Sequence, residues 1–222
     1  MSINYQIIKS AKRSITAWTG GTTEELYIYP EGSSYGSRNF LFRVSTAVVE
    51  LEQSNFTLLP AYTRWIATLD GHITLTHEEH GSAVNLTPLK PHQFKGGWVT
   101  SCIGKCTDFN LMLAEGWSGY IAPTPRHFTC SEGEFTGIFA FDGPVRLTLT
   151  GHDSTASSQA SAAQPDSGRG GAILHEADNT NSTRSITLML ETRDILVIHS
   201  PCDISIESSQ SQSILFTAHA DL

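Results

Sequence analysis

The chain has 222 residues, 39% hydrophobic and 16% charged, enough apolar surface for a sizeable core in one large or two closely packed globular domains. Against 14 Lys and Arg stand 22 Asp and Glu, a formal charge of −8; the basic residues are scattered, and without a basic stripe to neutralise phosphates neither nucleic acid nor an anionic membrane is an expected partner. Met1 to Tyr5 carry no charged stretch leading into an apolar one, and no apolar run reaches bilayer length, so the expected location is cytoplasmic.

In chain order, strand-like stretches run from Glu24 to Tyr29, Phe40 to Val49, Trp65 to Leu69, Ile73 to Thr76, Val99 to Ile103 and Asp108 to Leu113. Others follow from Phe135 to Phe141, Val145 to Thr150, Ile186 to Leu190, Ile195 to Ile198, Ile204 to Glu207 and Ile214 to Thr217. No window holds a helical period, and Gly, Pro and Asn break the short strands at close spacing, which indicates an antiparallel sandwich or barrel. One phrase recurs: Asp70-Gly71-His72-Ile73-Thr74-Leu75-Thr76 and Asp142-Gly143-Pro144-Val145-Arg146-Leu147-Thr148. Each Asp-Gly turn joins an apolar strand to an alternating one, so the same β-hairpin is expected in each half of a duplicated chain. The expected units are 1–118 and 119–222.

Asp153 to Thr183 is rich in Ser, Ala, Gly, Asn and Asp with almost no large apolar side chains. It cannot bury enough surface to fold independently and reads as a mobile loop inserted at a hairpin tip of the second unit, at about 153–183. The four cysteines, Cys102, Cys106, Cys130 and Cys202, are read as reduced thiols, and Cys102 and Cys106 are too isolated from other ligands for a structural zinc site. His77-Glu78-Glu79-His80, before Gly81, reads as a solvated hairpin tip rather than a metal site. There is no nucleophile elbow, phosphate loop or dinucleotide fingerprint.

A duplicated antiparallel β-unit with these turns resembles the two-barrel form of the cupin superfamily. Many cupins hold a metal with a His-x-His pair and a Glu set at fixed spacing before the Gly of the turn. Counted back from Gly71, the Glu position is Arg64 and the His positions fall among Thr57, Leu58, Leu59 and Pro60; counted back from Gly143, Thr136 replaces the Glu and only Cys130, Glu132 and His127 offer donors nearby. No metal or other cofactor is therefore expected. A guanidinium at Arg64 supplies a fixed cation suited to a carboxylate; the alternatives are that Arg64 pairs with an internal acid such as Asp108 or lies outside the barrel.

A more specific resemblance is carried by Trp18-Thr19-Gly20-Gly21-Thr22-Thr23-Glu24-Glu25-Leu26-Tyr27-Ile28-Tyr29-Pro30, Phe42-Arg43-Val44-Ser45-Thr46-Ala47, Phe56-Thr57-Leu58-Leu59-Pro60 with Arg64, Leu69-Asp70-Gly71 and Asp108-Phe109-Asn110-Leu111-Met112. In this order they resemble the HutD/Ves family, over about half the chain. The resemblance implies an all-β bicupin, two antiparallel barrels of the RmlC-like jelly-roll type. It also implies an association with bacterial histidine utilisation, in which sensing or buffering of an intermediate such as formiminoglutamate has been proposed, or with stress and cold responses. No enzymatic activity defines the family. The chain departs from its pattern in the Ser-rich stretch and at Thr57 and Ala61, where Ser and Gly are commoner.

On a strand, Arg43, Ser45 and Ala47 share one face, as do Asp108, Asn110 and Met112. If both faces point inward, Arg43, Arg64, Asp108 and Asn110 meet in one cavity, with Arg suited to a carboxylate and Asp to a cationic nitrogen. The alternative is that Arg43 and Asp108 only satisfy each other. Trp18 is a candidate wall or lid, Thr22 a further ligand contact and Glu24 a supporting group. The expected ligand set is thus Arg43, Arg64, Asp108, Asn110, Ser45, Trp18, Thr22 and Glu24, with no catalytic residue assigned. The expected partner is a small carboxylate or amino-acid-derived ligand, bound without metal in a regulatory or accessory role, and a homodimer is compatible with it. Two other readings stay open: a metal-free hydrolase or isomerase using Asp108 or Glu24 as general acid/base, and a protein-interaction module with a vestigial pocket.

Overall fold

The duplication is written into the strand pairing. The computed structural model describes residues 2–78, 80–81, 83–151, 184–207 and 212–221, and the Ser-rich segment lies outside them. An N-terminal extension carries β1 (Tyr5–Ile8), a single 3-10 turn (Ser10–Lys12), β2 (Ile15–Trp18) and β3 (Gly21–Tyr29). The first unit follows with β4 (Phe42–Val49), β5 (Gln53–Asn55), β6 (Tyr62–Gly71), β7 (Ile73–His77), β8 (Val84–Leu86), β9 (His92–Lys95), β10 (Thr100–Ile103) and β11 (Cys106–Ala114). The second has β12 (Trp117–Pro123), β13 (His127–Cys130), β14 (Glu134–Asp142), β15 (Val145–Gly151), β16 (Arg184–Leu190), β17 (Ile195–Ile198), β18 (Cys202–Ile206) and β19 (Gln212–Ala220).

In the first unit the strand orders are β4-β11-β6-β9 and β5-β10-β7-β8; in the second they are β12-β19-β14-β17 and β13-β18-β15-β16. Every strand therefore has its counterpart eight places later in the chain. Each unit is an antiparallel jelly roll of two facing sheets. The extension is shared: β2 and β3 continue the first unit's large sheet beyond β4, while β1 pairs with β17 of the second unit.

The Asp-Gly turns are not hairpin tips, which corrects the sequence expectation. Strands β6 and β7 belong to different sheets, as do β14 and β15. A register shift just before each Asp, at Leu69 against Thr107/Asp108 and at Phe141 beside Ala140/Asp142, bends the strand, and the following Gly71 (φ 78°) or Gly143 (φ 86°) turns the chain into the opposite sheet. A Cβ on Gly71 would sit 2.4 Å from the Lys105 carbonyl oxygen, so this corner also needs glycine for close approach.

The large sheets of the two units pack against each other. Their contact buries Phe42, Val44, Phe109 and Leu111 of the first against Phe135, Phe139, Ile195 and Phe216 of the second. Both faces of each large sheet are therefore covered. On the far side of the second unit Ile138, Leu196, Ile198 and Leu215 meet Val145, Leu147, Leu149 and Ile204 in an apolar core. On the far side of the first, Ile66, Ile73, Leu75 and Phe94 fill only part of the space. The extension is tied down by ions: buried Glu24 accepts from Arg13 Nε at 2.7 Å and also pairs with Arg193, and Asp194 accepts from Lys9 Nζ at 2.7 Å. The four cysteines are free and buried, and burial pushes the Cys102 thiol up to about 11 and Cys202 to about 12.

Candidate functional site

Where the first unit's core stops, a cavity of about 270 Å³ opens on the inner face of its large sheet. Pairing register explains its lining. Arg43 on β4, Met112 on β11 and Arg64 on β6 lie in one row across three strands, because Met112 faces both arginines. At the strand spacing of a sheet this puts the two arginine Cα atoms about 10 Å apart. The next rows inward hold Ser45 with Asn110, and Ala47 with Asp108. Bulk apolar residues at these positions would close the space; polar and small ones leave it open.

The charged groups have distinct partners. Arg43, 6% exposed, donates from Nε to Glu25 Oε2 at 2.7 Å and from Nη1 to Ser45 Oγ at 3.0 Å, with its guanidinium over the Tyr35 ring. Asp108, 3% exposed, accepts at Oδ1 from the Ala47 N–H at 3.1 Å and from Asn110 Nδ2 at 2.6 Å. The Arg43–Asp108 pairing held open above is thus not made. Arg64 lies against the Phe56 and Phe94 rings, 5.0 and 5.1 Å from their centroids, which are themselves 6.2 Å apart. Its one hydrogen bond is a 3.3 Å contact from Nη1 to the Thr57 carbonyl, and its buried Nε has no partner. Arg64 is inside the unit and in no ion pair among the described residues.

Electrostatics follow from this burial. Loss of water lowers Arg64 from its ordinary value to about 10, against the opposing charges of Tyr35 and Asp108. Burial raises the Asp108 carboxyl to about 7, outweighing its hydrogen bonds from Ala47 and Asn110 and the charge of Arg64. Tyr35 is pushed up by burial but brought below its ordinary value overall, chiefly by Arg38, whose guanidinium lies 3.9 Å from the ring centroid.

Of the residues expected from sequence, Arg43, Ser45, Arg64, Asp108, Asn110 and Trp18 line this cavity. Trp18, 38% exposed, stands at its edge, with its indole where a Cβ on Gly20 would have to be. Thr22 and Glu24 lie outside it. They point to the other face of β3, where Glu24 holds Arg13 and Arg193; the cavity receives Thr23 and Glu25. This is a parity difference of one residue, set by the pairing of Thr23 with Ala47 and Glu25 with Ser45. Tyr35, Phe56 and Glu25 were not anticipated: Tyr35 lies in a loop, and no local pattern marks an aromatic ring as the platform for a distant arginine.

His77 also departs from expectation, being buried rather than at a solvated tip: Nδ1 is 2.8 Å from Thr100 Oγ1 and Nε2 is 2.9 Å from His92 Nε2. Glu79 lies outside the described residues. Among those described, no three His, Cys, Asp or Glu side chains converge as a metal site would require, and no helix is long and apolar enough to cross a membrane.

Two jelly rolls of this order packed through their large sheets define a bicupin. Solved cupins share the architecture: oxalate decarboxylase from Lactobacillus farciminis, in a formate complex, superposes with a TM-score of 0.59 at 7% identity, over 97% of this chain and 86% of that one. The HutD family model matches residues 10–216, and the chain belongs to that family. HutD from Pseudomonas fluorescens SBW25 is similar at 18% identity and TM-score 0.66, and a conserved protein of unknown function from Pseudomonas aeruginosa PAO1 at 17% and 0.67. Each alignment covers 99% of this chain and 100% of the other. No curated protein matches the chain.

Proposed function

We propose that this protein binds a small carboxylate-bearing metabolite in the cavity of its first unit and acts as a sensor or accessory protein, the ligand being a histidine-utilisation intermediate such as formiminoglutamate. The observation that carries the reading is Arg64: a buried guanidinium against two aromatic rings, in no ion pair among the described residues. Desolvating a cation is costly unless something compensates it, and a ligand carboxylate bound by the guanidinium fork does so. In this reading the guanidinium supplies the positive charge that a metal supplies in other cupins.

A thermal-shift screen against formiminoglutamate, urocanate, glutamate and formate tests it, with and without chelator, beside Arg64→Ala. A ligand that binds only the native state raises the melting temperature by mass action. A shift that persists with chelator and disappears in Arg64→Ala is expected; no shift with any of the four acids, or one equally large in Arg64→Ala, counts against the reading. The raised Asp108 carboxyl favours a second reading, turnover of such an acid with Asp108 as general acid/base, which predicts turnover lost in Asp108→Asn.

A further inference from the structure

An anion receptor with a carboxyl in its wall poses an electrostatic problem. Asp108 faces the same cavity as Arg64, yet neither arginine pairs with it. Arg43 is committed to Glu25 of β3 and to Ser45, and Arg64 to its aromatic rings and the Thr57 carbonyl. Both hydrogen bonds to the Asp108 side chain land on Oδ1, which leaves Oδ2 without a partner. The Tyr35 phenol, from the loop between β3 and β4, lies beyond Arg64 in the same cavity. Cys106, on the same strand, and Cys102, on β10 of the opposite sheet, interact with Asp108, and burial keeps both thiols neutral. Among the described groups facing Asp108, therefore, none is an ion-pair partner for the carboxylate, and an incoming anion adds a second negative charge.

Resting on the carboxylate reading above, we propose that the cavity takes up its carboxylate together with one proton, which Asp108 Oδ2 holds and donates in a hydrogen bond to the bound anion. The reaction balances as anion plus solvent proton plus ionised Asp108 giving protonated Asp108 bound to the anion; no other co-reactant is needed. The ligand is then held from two sides, by the charge of Arg64 and by the short, charge-assisted hydrogen bond of an acid–carboxylate pair. Asp108, raised to about 7 before any ligand binds, is pushed further up by the second negative charge, far enough in this proposal to stay protonated in the complex at pH 8.5. The site so built places a ligand carboxylate, not a cationic nitrogen, on Asp108. A ligand placing an ammonium or amidinium on Asp108 requires the ionised form and takes up no proton.

Formate, which carries no nitrogen and stays ionised across the range, is the probe. Isothermal titration of the full chain with sodium formate, in two buffers of different ionisation enthalpy, counts protons directly. Expected is an uptake of about one proton per formate near pH 8.5, about half near pH 7 and little near pH 6, with affinity falling about tenfold per pH unit above 7. In Asp108→Asn an amide stands permanently for the neutral acid, so the affinity should no longer change with pH and the heat no longer depend on buffer. Formate binding to the wild-type chain with flat affinity and no proton uptake overturns the proposal while leaving the carboxylate reading intact. Absence of formate binding at every pH from about 5.5 to 8.5 overturns the proposal, while the carboxylate reading is decided separately by the screen of the four acids.

Discussion

The two jelly rolls share strand order, corner geometry and a common interface, yet among the described residues a polar cavity lies in the first and an apolar core in the second, and pairing register shows why, position by position. Where the first unit has Arg43, Ser45, Arg64, Asp108 and Asn110, the second has Tyr120, Ala122, Thr136, Ser213 and Leu215. The first set carries charges and an amide inward; the second has neither, and Leu215 packs with Ile138 and Leu147 in a filled core. The sheet edges differ too. Strands β2 and β3 continue the first unit's large sheet and supply Trp18, Thr23 and Glu25 to the cavity wall, whereas among the described residues β12 is the edge of the second. The proposed ligand site thus combines the polar row with the extra wall, and the other unit has neither.

The sharpest way to break this comparison is to give the second unit the first unit's residue. Leu215→Asn removes a buried side chain and leaves an amide among Ile138, Leu147 and Leu149. The lost apolar packing and the unsatisfied amide together are expected to cost about 4 kcal/mol or more, read by urea unfolding. A loss below about 1.5 kcal/mol would mean that the second core is looser than its contacts imply, and the contrast between a filled and an open unit would fail.

That contrast was partly legible in the sequence, and the split follows the sheets. The twelve strands recognised from apolar alternation include all those interior to a sheet, with β16 the one edge strand among them. The seven missed, β1, β2, β5, β8, β9, β12 and β13, are all edge strands. Gln53–Asn55 and His92–Lys95 show the reason: an edge strand is short and polar where it must discourage further pairing, so it loses the pattern that identifies a strand. The inward set Arg43, Ser45, Asp108 and Asn110 was legible because both strands are central and the period of two holds along them. Thr22 and Glu24 were placed on the wrong side of β3 because which face of a strand looks inward depends on its register with β4, which no local pattern encodes. The Asp-Gly corners failed for a related reason, since a bulge one residue earlier, not the turn itself, decides whether the next strand pairs back or crosses.

A second test turns on protons. The Asp108 carboxyl stands at about 7 in the folded chain and near its ordinary value when unfolded, so between these values the native state holds a proton that the unfolded state has lost. Stability therefore falls as pH rises through this window and levels off above it. Asp108→Asn has no such term: relative to wild type it should be more stable by roughly 2–4 kcal/mol at pH 8, the difference shrinking toward zero near pH 4. Urea unfolding of both proteins across this range measures it, and a difference independent of pH would show that the cavity solvates the carboxylate better than its burial indicates. No matching effect is expected from Ser213, the counterpart of Asp108 in the second unit, since a hydroxyl does not titrate there.

The smallest change in stability and the clearest change in function should come from the reciprocal exchange, Asn110→Leu. Asn110 gives Asp108 Oδ1 a hydrogen bond at 2.6 Å, and losing it costs about 1 kcal/mol. The leucine gains a comparable amount by burying its side chain in space now open, so the unfolding free energy should move by no more than about 1 kcal/mol in either direction. Binding should respond quite differently, because the branched side chain occupies the cavity between Ser45 and Ile66, the two residues that face position 110 across the sheet, and excludes the ligand from Asp108. The expected result is a normally folded protein whose melting temperature no longer responds to any of the four acids. A full thermal shift in Asn110→Leu would place the ligand elsewhere in the molecule, and the polar row would then be a structural difference between the two units rather than a functional one.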